Sequence, residues 1–190
     1  MLIGTLIIAL LFSAVFYLIL IYNNLVSLKN NVTKNWANID VLLKQRYAEL
    51  PKLIDACKAY LSYEQNTLEK IVNARKSALS ATEAKDLSAL KEAETSLKLG
   101  LSSLFALSEN YPDLKANASF QQLQQRISSL ENNITDRREL YNDSVNFYNI
   151  RIAQIPDIFI ARVFHFTPFN LLVFSEEELQ DVSVKTQFTS

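Results

Sequence analysis

Glycine is nearly missing: the 190-residue chain carries 2, where average usage of about 7% would give about 13. Without it there is no phosphate-cradling loop, no dinucleotide fingerprint and little provision for hairpin turns, which removes Rossmann, P-loop and sandwich architectures. Cysteine and histidine number 1 each, which excludes an internal disulfide framework and a zinc finger. A dominant charge sign is lacking too. Nineteen Lys and Arg against 20 Asp and Glu leave a net charge of -1, so nothing draws the whole chain to nucleic acid. What is present is apolar and helix-forming, 49% hydrophobic with only 4 prolines. These proportions favour a helical, non-catalytic protein.

No charged side chain precedes Lys29, and residues 2–22 are almost continuously apolar. At about 1.5 Å per residue this run spans about 31 Å, close to the hydrocarbon thickness of a bilayer. A cleaved secretory signal fits less well, because a basic n-region and an A-x-A site are missing and the run is too long. A buried core helix would carry a polar stripe. The reading is an uncleaved transmembrane anchor. Lys29, Lys34, Lys44 and Arg46 lie beyond the run and no basic group precedes it, so the positive-inside bias places the soluble domain in the cytoplasm.

Beyond the anchor, apolar residues recur at helical spacing. Leu25, Leu28, Val32, Trp36, Ile39 and Leu43 form one face, continuous with the anchor. Pro51 is expected to interrupt, seated in the first turn of a second helix; a kinked continuous helix is the alternative. The second stripe runs through Leu50, Ile54, Cys57, Leu61, Leu68, Ile71 and Leu79. Ser80 and Glu83 have capping-box spacing ahead of a third stripe, Leu87 to Tyr111, which Pro112 ends. Ser119 and Gln122 repeat the cap spacing ahead of a fourth, Phe120 to Ile152, which Pro156 closes. Four amphipathic helices on short links predict an all-α fold: an N-terminal transmembrane helix followed by an antiparallel four-helix up-and-down bundle. A long intermolecular coiled coil is the less favoured alternative. The expected divisions are 1–22 for the anchor, 23–156 for the bundle, and 157–190 for an apolar segment and polar tail.

Several blocks carry a family resemblance: YNNLVSLKNNV at 22–32, WANIDVLLKQRYAELPKLIDACKAY at 36–60, ENYPDLKANASFQQLQ at 109–124 and RRELYNDSVNFYNIRIAQIP at 137–156. With them the chain resembles the LemA family over nearly its whole length. The resemblance implies a single N-terminal membrane span and a four-helix bundle, with no established enzymatic activity and no catalytic residues to carry over. The sequence departs from the family near its end, where VFHFTPF at 163–169 has His165 at a position that is often glycine, and the tail EEELQDVSVKTQFTS replaces a short aromatic finish.

Individual residues admit a plain and a sharper reading. His165 lacks companions for metal or nucleophilic chemistry, since Glu176, Glu177 and Glu178 lie beyond an apolar stretch and read as solvated charge. Cys57 reads as a small buried hydrophobe before a reactive thiol. Glu64, Arg75, Glu94 and Arg137 fall within the stripes; either they snorkel to water at the stripe edges, the favoured reading, or they form a cross-helix ion network that fixes register. Tyr141-Asn142 and Tyr148-Asn149 share one face, favouring core packing with hydroxyls at the rim over a partner site. Counting helix directions brings the segment after Pro156 back to the membrane. Its phenylalanines, among them Phe159, Phe164, Phe166 and Phe169, either lie in the headgroup region or complete the open end of the bundle.

No catalytic, cofactor-binding or metal site is expected, and no cofactor. The expected function is that of a non-enzymatic, single-pass cell-membrane protein presenting a cytoplasmic bundle as scaffold or adaptor to protein partners of unknown identity, with a homo-oligomer possible and no nucleic acid. The alternative is a membrane-remodelling or filament-forming protein that oligomerises along the bilayer.

Overall fold

The structure, a computed structural model, describes residues 2–61 and 63–173. The expected polar tail, with Glu176, Glu177 and Glu178, lies outside the described residues, as does Phe174 at the end of the apolar segment. Among the described residues the elements are α1 (Leu2–Lys58), α2 (Gln65–Ala84), α3 (Leu87–Ser108), α4 (Pro112–Lys115), α5 (Ala118–Ala153) and α6 (Asp157–Val163). No strand occurs among them.

Pro51 does not interrupt. α1 runs through it for 57 residues to Lys58, and α2 begins at Gln65. A proline inside a helix deprives the carbonyl four residues earlier of its donor. Here that carbonyl is Tyr47 O, and Arg75 of α2 donates to it from Nε at 2.7 Å. The first half of the expected second stripe, Leu50 to Cys57, therefore belongs to α1, while Leu68 and Ile71 lie on α2.

The capping expectations also shift. Ser80 and Glu83 lie inside α2. That helix ends at Lys85, whose φ of 55° is left-handed, with the Asp86 N–H closing back to Ala81 O at 3.0 Å, the hydrogen bond of a Schellman ending. Asp86 then caps α3, its carboxylate accepting from the N–H groups of Ser88 and Ala89, both at 3.0 Å. At α5 the cap is Asn117 rather than Ser119, with Asn117 Oδ1 accepting from Phe120 N–H at 3.0 Å. In both places an Asp or Asn immediately outside the helix outcompetes the S-x-x-E/Q pattern.

The helices build two compact units. Residues 38–137 form a four-helix bundle from the second half of α1, α2, α3 and the first half of α5, with α4 as a short link. Contacts rise along α1 as they fall along α5: Arg46 meets Glu131, and Tyr60 meets Asn117. That is antiparallel pairing. The core stacks Ile39, Leu43, Leu50 and Leu53 of α1 with Ile71, Leu97, Leu104 and Ile127, all buried.

The second unit comprises residues 2–37 and 138–171. Val32 of α1 and Val145 and Tyr148 of α5 are buried in it, and Trp36 meets Tyr141 edge-on at 5.8 Å. Asn35 Nδ2 crosses to Leu140 O at 3.3 Å and Ser144 Oγ at 3.1 Å. α6 folds back onto α1, where Ile21, Leu25 and Ala161 form a small buried cluster with Ile152, Ile160 and Phe166 packed around it.

Candidate functional site

The most unusual surface belongs to α1. Residues 2–20 are exposed on every side and wholly uncharged, so this stretch of helix buries nothing within the chain. Burial begins abruptly at Ile21. There the ring of Tyr22 meets Phe164 at 4.7 Å and Phe166 at 6.0 Å, and Lys29 Nζ lies 5.7 Å above the Phe166 ring. An aromatic and cationic cluster thus packs beside the foot of the apolar run.

The four candidate phenylalanines divide. Phe166 and Phe169 are half-buried, the latter edge-on to Tyr148 at 5.2 Å. Phe159 and Phe164 remain exposed. The segment after α6 is fastened to α5 by polar groups. Tyr148 donates its hydroxyl to Thr167 O at 3.0 Å and Tyr141 to Asn170 O at 3.1 Å. Asn149 pairs with the Phe169 backbone twice, Nδ2 to O at 2.9 Å and Oδ1 from N–H at 3.0 Å. Burial raises the pKa of both tyrosines above the ordinary phenol value, keeping them as donors. The paired Tyr-Asn face is therefore buried at its tyrosines and serves to hold a strap. Arg151 pairs with the buried Asp157 at the start of α6, which ties the turn after α5.

The four charges singled out within the stripes do not form one network. Glu94 sits in a buried cluster in the four-helix unit, accepting from Arg46 and from the Tyr47 hydroxyl, while Arg46 also pairs with Glu131. Burial works against the charge on Arg46, but Glu94 and Glu131 outweigh it and hold the guanidinium pKa above its ordinary value. Burial, and then the Glu94 charge, push the Tyr47 phenol up. Removing one partner of so buried a pair costs about 3–5 kcal/mol, because a charge is left uncompensated. Glu64 instead accepts from the Tyr111 hydroxyl, and that bond raises the Tyr111 pKa. Arg75 serves Tyr47 O, and Arg137 is exposed on α5. Arg46, Tyr47 and Glu131 are the members that sequence reasoning missed. Their signal was position: Arg46 and Tyr47 fall between Leu43 and Leu50, in step with an apolar stripe.

Cys57 is fully buried, and burial pushes its thiol up to about 11, away from reactivity. His165 is exposed, with a φ of 54°. That left-handed conformation is one that favours glycine.

These features define a class: an all-α protein in which a long first helix leaves an uncharged apolar segment bare and then enters a packed helical body. The family model of the LemA family matches residues 35–188, and the chain belongs to that family. It is similar to Protein LemA of Metamycoplasma hominis, at 30% identity over 166 residues covering 86% of this chain and 73% of that protein.

Proposed function

We propose that the protein is a single-pass membrane protein, anchored by residues 2–22 with its helical body in the cytoplasm, and that the body is a non-catalytic scaffold for protein partners. The observation that carries this reading is the bare apolar helix. Apolar surface left in water costs about 25 cal/mol per Å², and Leu2, Leu10 and Phe12 are each more than two-thirds exposed. A bilayer is the solvent that removes this cost over such a length. Lys29 and Lys34, on the far side of the run, support the cytoplasmic orientation. The scaffold role draws support from how the body uses its buried charged groups. Arg46, Glu94 and Tyr47 hold one another within residues 38–137, and the buried Asp157 is paired by Arg151, so these groups serve packing.

Three measurements test the proposal. A reporter fused after Ser190 is expected to be active in the cytoplasm and silent outside, with the protein resisting alkaline carbonate extraction from membranes. Extraction into the wash would remove the anchor, and an external signal would reverse the orientation. Proximity labelling from the body is expected to return a reproducible set of neighbours; a return of bulk abundant proteins alone would remove the scaffold role.

A further inference from the structure

We propose that the outward face of α6 is a second membrane contact, lying in the headgroup region of the leaflet from which the foot of α1 emerges. The inference rests on the reading of residues 2–22 as a span, and it narrows the two alternatives open for the phenylalanine-rich segment after Pro156 to one face of α6, a helix of 7 residues.

Position is the first argument. Ala161 packs on Ile21 and Leu25, and Phe164 on Tyr22, so α6 is docked at the level where the apolar run gives way to Asn23 and Asn24. In a spanning helix that is the boundary between hydrocarbon and headgroups. The second argument is the division of faces. Asp157 and Ala161 are buried against the body, whereas Phe159 is 60% and Val163 69% exposed, four residues apart on one face. Ile155 and Phe164, just outside the two ends of α6, are also exposed, at 80% and 54%. Charge is the third. Arg162 on α6 is exposed, next in the chain to Val163, so a cation accompanies the apolar face where lipid phosphates would be. The patch is continuous with the bare surface of residues 2–20 through the Tyr22–Phe164 contact, which commits it to the same occupant, a lipid surface. Phe166 and Phe169 are not part of this contact; they are packing residues of the fold.

The experiment places nitroxide labels on the full chain, reconstituted in vesicles of phosphatidylcholine and phosphatidylglycerol. Phe159→Cys and Val163→Cys report on α6, Leu10→Cys on the span and Asp113→Cys on water; the native Cys57 is buried and stays unlabelled. Accessibility to oxygen, which concentrates in lipid, is compared with that to a water-soluble nickel chelate. The oxygen-to-nickel ratio at 159 and 163 is expected to exceed that at 113 several-fold and to fall below that at 10. A ratio at 159 and 163 equal to that at 113, with position 10 in lipid, overturns the inference and leaves the anchor standing. Water contact at position 10 overturns the anchor, and the inference with it. Protection from both reagents, with dipolar broadening between labels, assigns the face to a second copy of the chain and also overturns it. Helix content by circular dichroism confirms that each variant is folded, and Val163→Cys carries the test alone if Phe159→Cys does not fold.

Discussion

Proline inside a long helix leaves a carbonyl without a donor, and in this protein a side chain from another helix supplies one. Tyr47 is buried, so its carbonyl cannot turn to water, and the Arg75 Nε contact at 2.7 Å replaces the bond that Pro51 cannot make. Arg75→Met is expected to destabilise by about 1–3 kcal/mol, the cost of an unsatisfied buried acceptor. With Pro51→Ala the new N–H reaches Tyr47 O, so the same Arg75→Met change is expected to cost markedly less. A double-mutant cycle by chemical unfolding reads this coupling directly, and strictly additive losses would show that the bond carries no weight. Cys57 gives a second prediction at this scale. Its pKa is raised by burial, so above about pH 9 the unfolded thiol ionises while the folded one does not, and stability falls as pH rises toward about 11. Over that interval Cys57 contributes a loss of about 2 kcal/mol, from 1.36 kcal/mol per pKa unit. The buried tyrosines begin to act in the same sense above about pH 10, so the comparison is with Cys57→Ala. That variant is expected to decline less steeply between pH 9 and 11, and parallel curves would refute the assignment.

Helix against helix, α2 and α3 approach closely at Gly100. A Cβ on Gly100 would meet Ile71 Cγ1 at 3.0 Å, and Ile71 is fully buried with nowhere to retreat. Replacing a mid-helix glycine by alanine gains about 1 kcal/mol of helix propensity, whereas overpacking a core costs about 1–3 kcal/mol. Gly100→Ala is therefore expected to lower the thermal midpoint. In an Ile71→Ala background the obstruction is gone, and the same change is expected to raise it. A change of equal sign in both backgrounds would mean that the contact does not control the pair. At this scale the sequence was legible where periodicity governs and illegible where partners do. The stripes identified Leu25, Ile39, Leu43, Phe120 and Ile127 as core because spacing alone puts them on one face. Pro51 misled because its effect depends on Arg75, 24 residues away. Ser80 and Ser119 misled because capping spacing also occurs by chance inside helices, while Asp86 and Asn117 actually receive the free N–H groups. Glu94 was visible as a charge within a stripe, but its partners depend on the rotation of three helices about their axes. The strap on Tyr141, Tyr148 and Asn149 ends on backbone carbonyls, which have no side-chain signature.

Taken as a whole molecule, the chain has a sharp boundary at residue 21, on one side of which every residue of α1 is exposed and on the other side of which α1 enters the packing. Residues 2–20 are exposed throughout, whereas Ile21 packs with Ala161 of α6 and Tyr22 with Phe164 just beyond it. Losing a buried isoleucine costs about 1.5–3 kcal/mol, and this loss falls on one small cluster rather than on the core of residues 38–137. A chain beginning at residue 21 is expected to retain slow amide exchange in α6, from Ile158 to Val163. One beginning at residue 23 is expected to exchange there many-fold faster while the amides of α3 remain protected. The difference is local because opening of a segment costs only the contacts that segment makes. Equal protection of α6 in the two chains would mean that Leu25, Ile152 and Phe166 suffice to dock it, and that Ile21 and Tyr22 do not hold it. Loss of protection in α3 as well would mean that the cluster is part of a single cooperative core. The expected result, loss confined to α6, would make the two-residue step from Ile21 to Tyr22 the joint between the apolar helix and the element that folds back beside it.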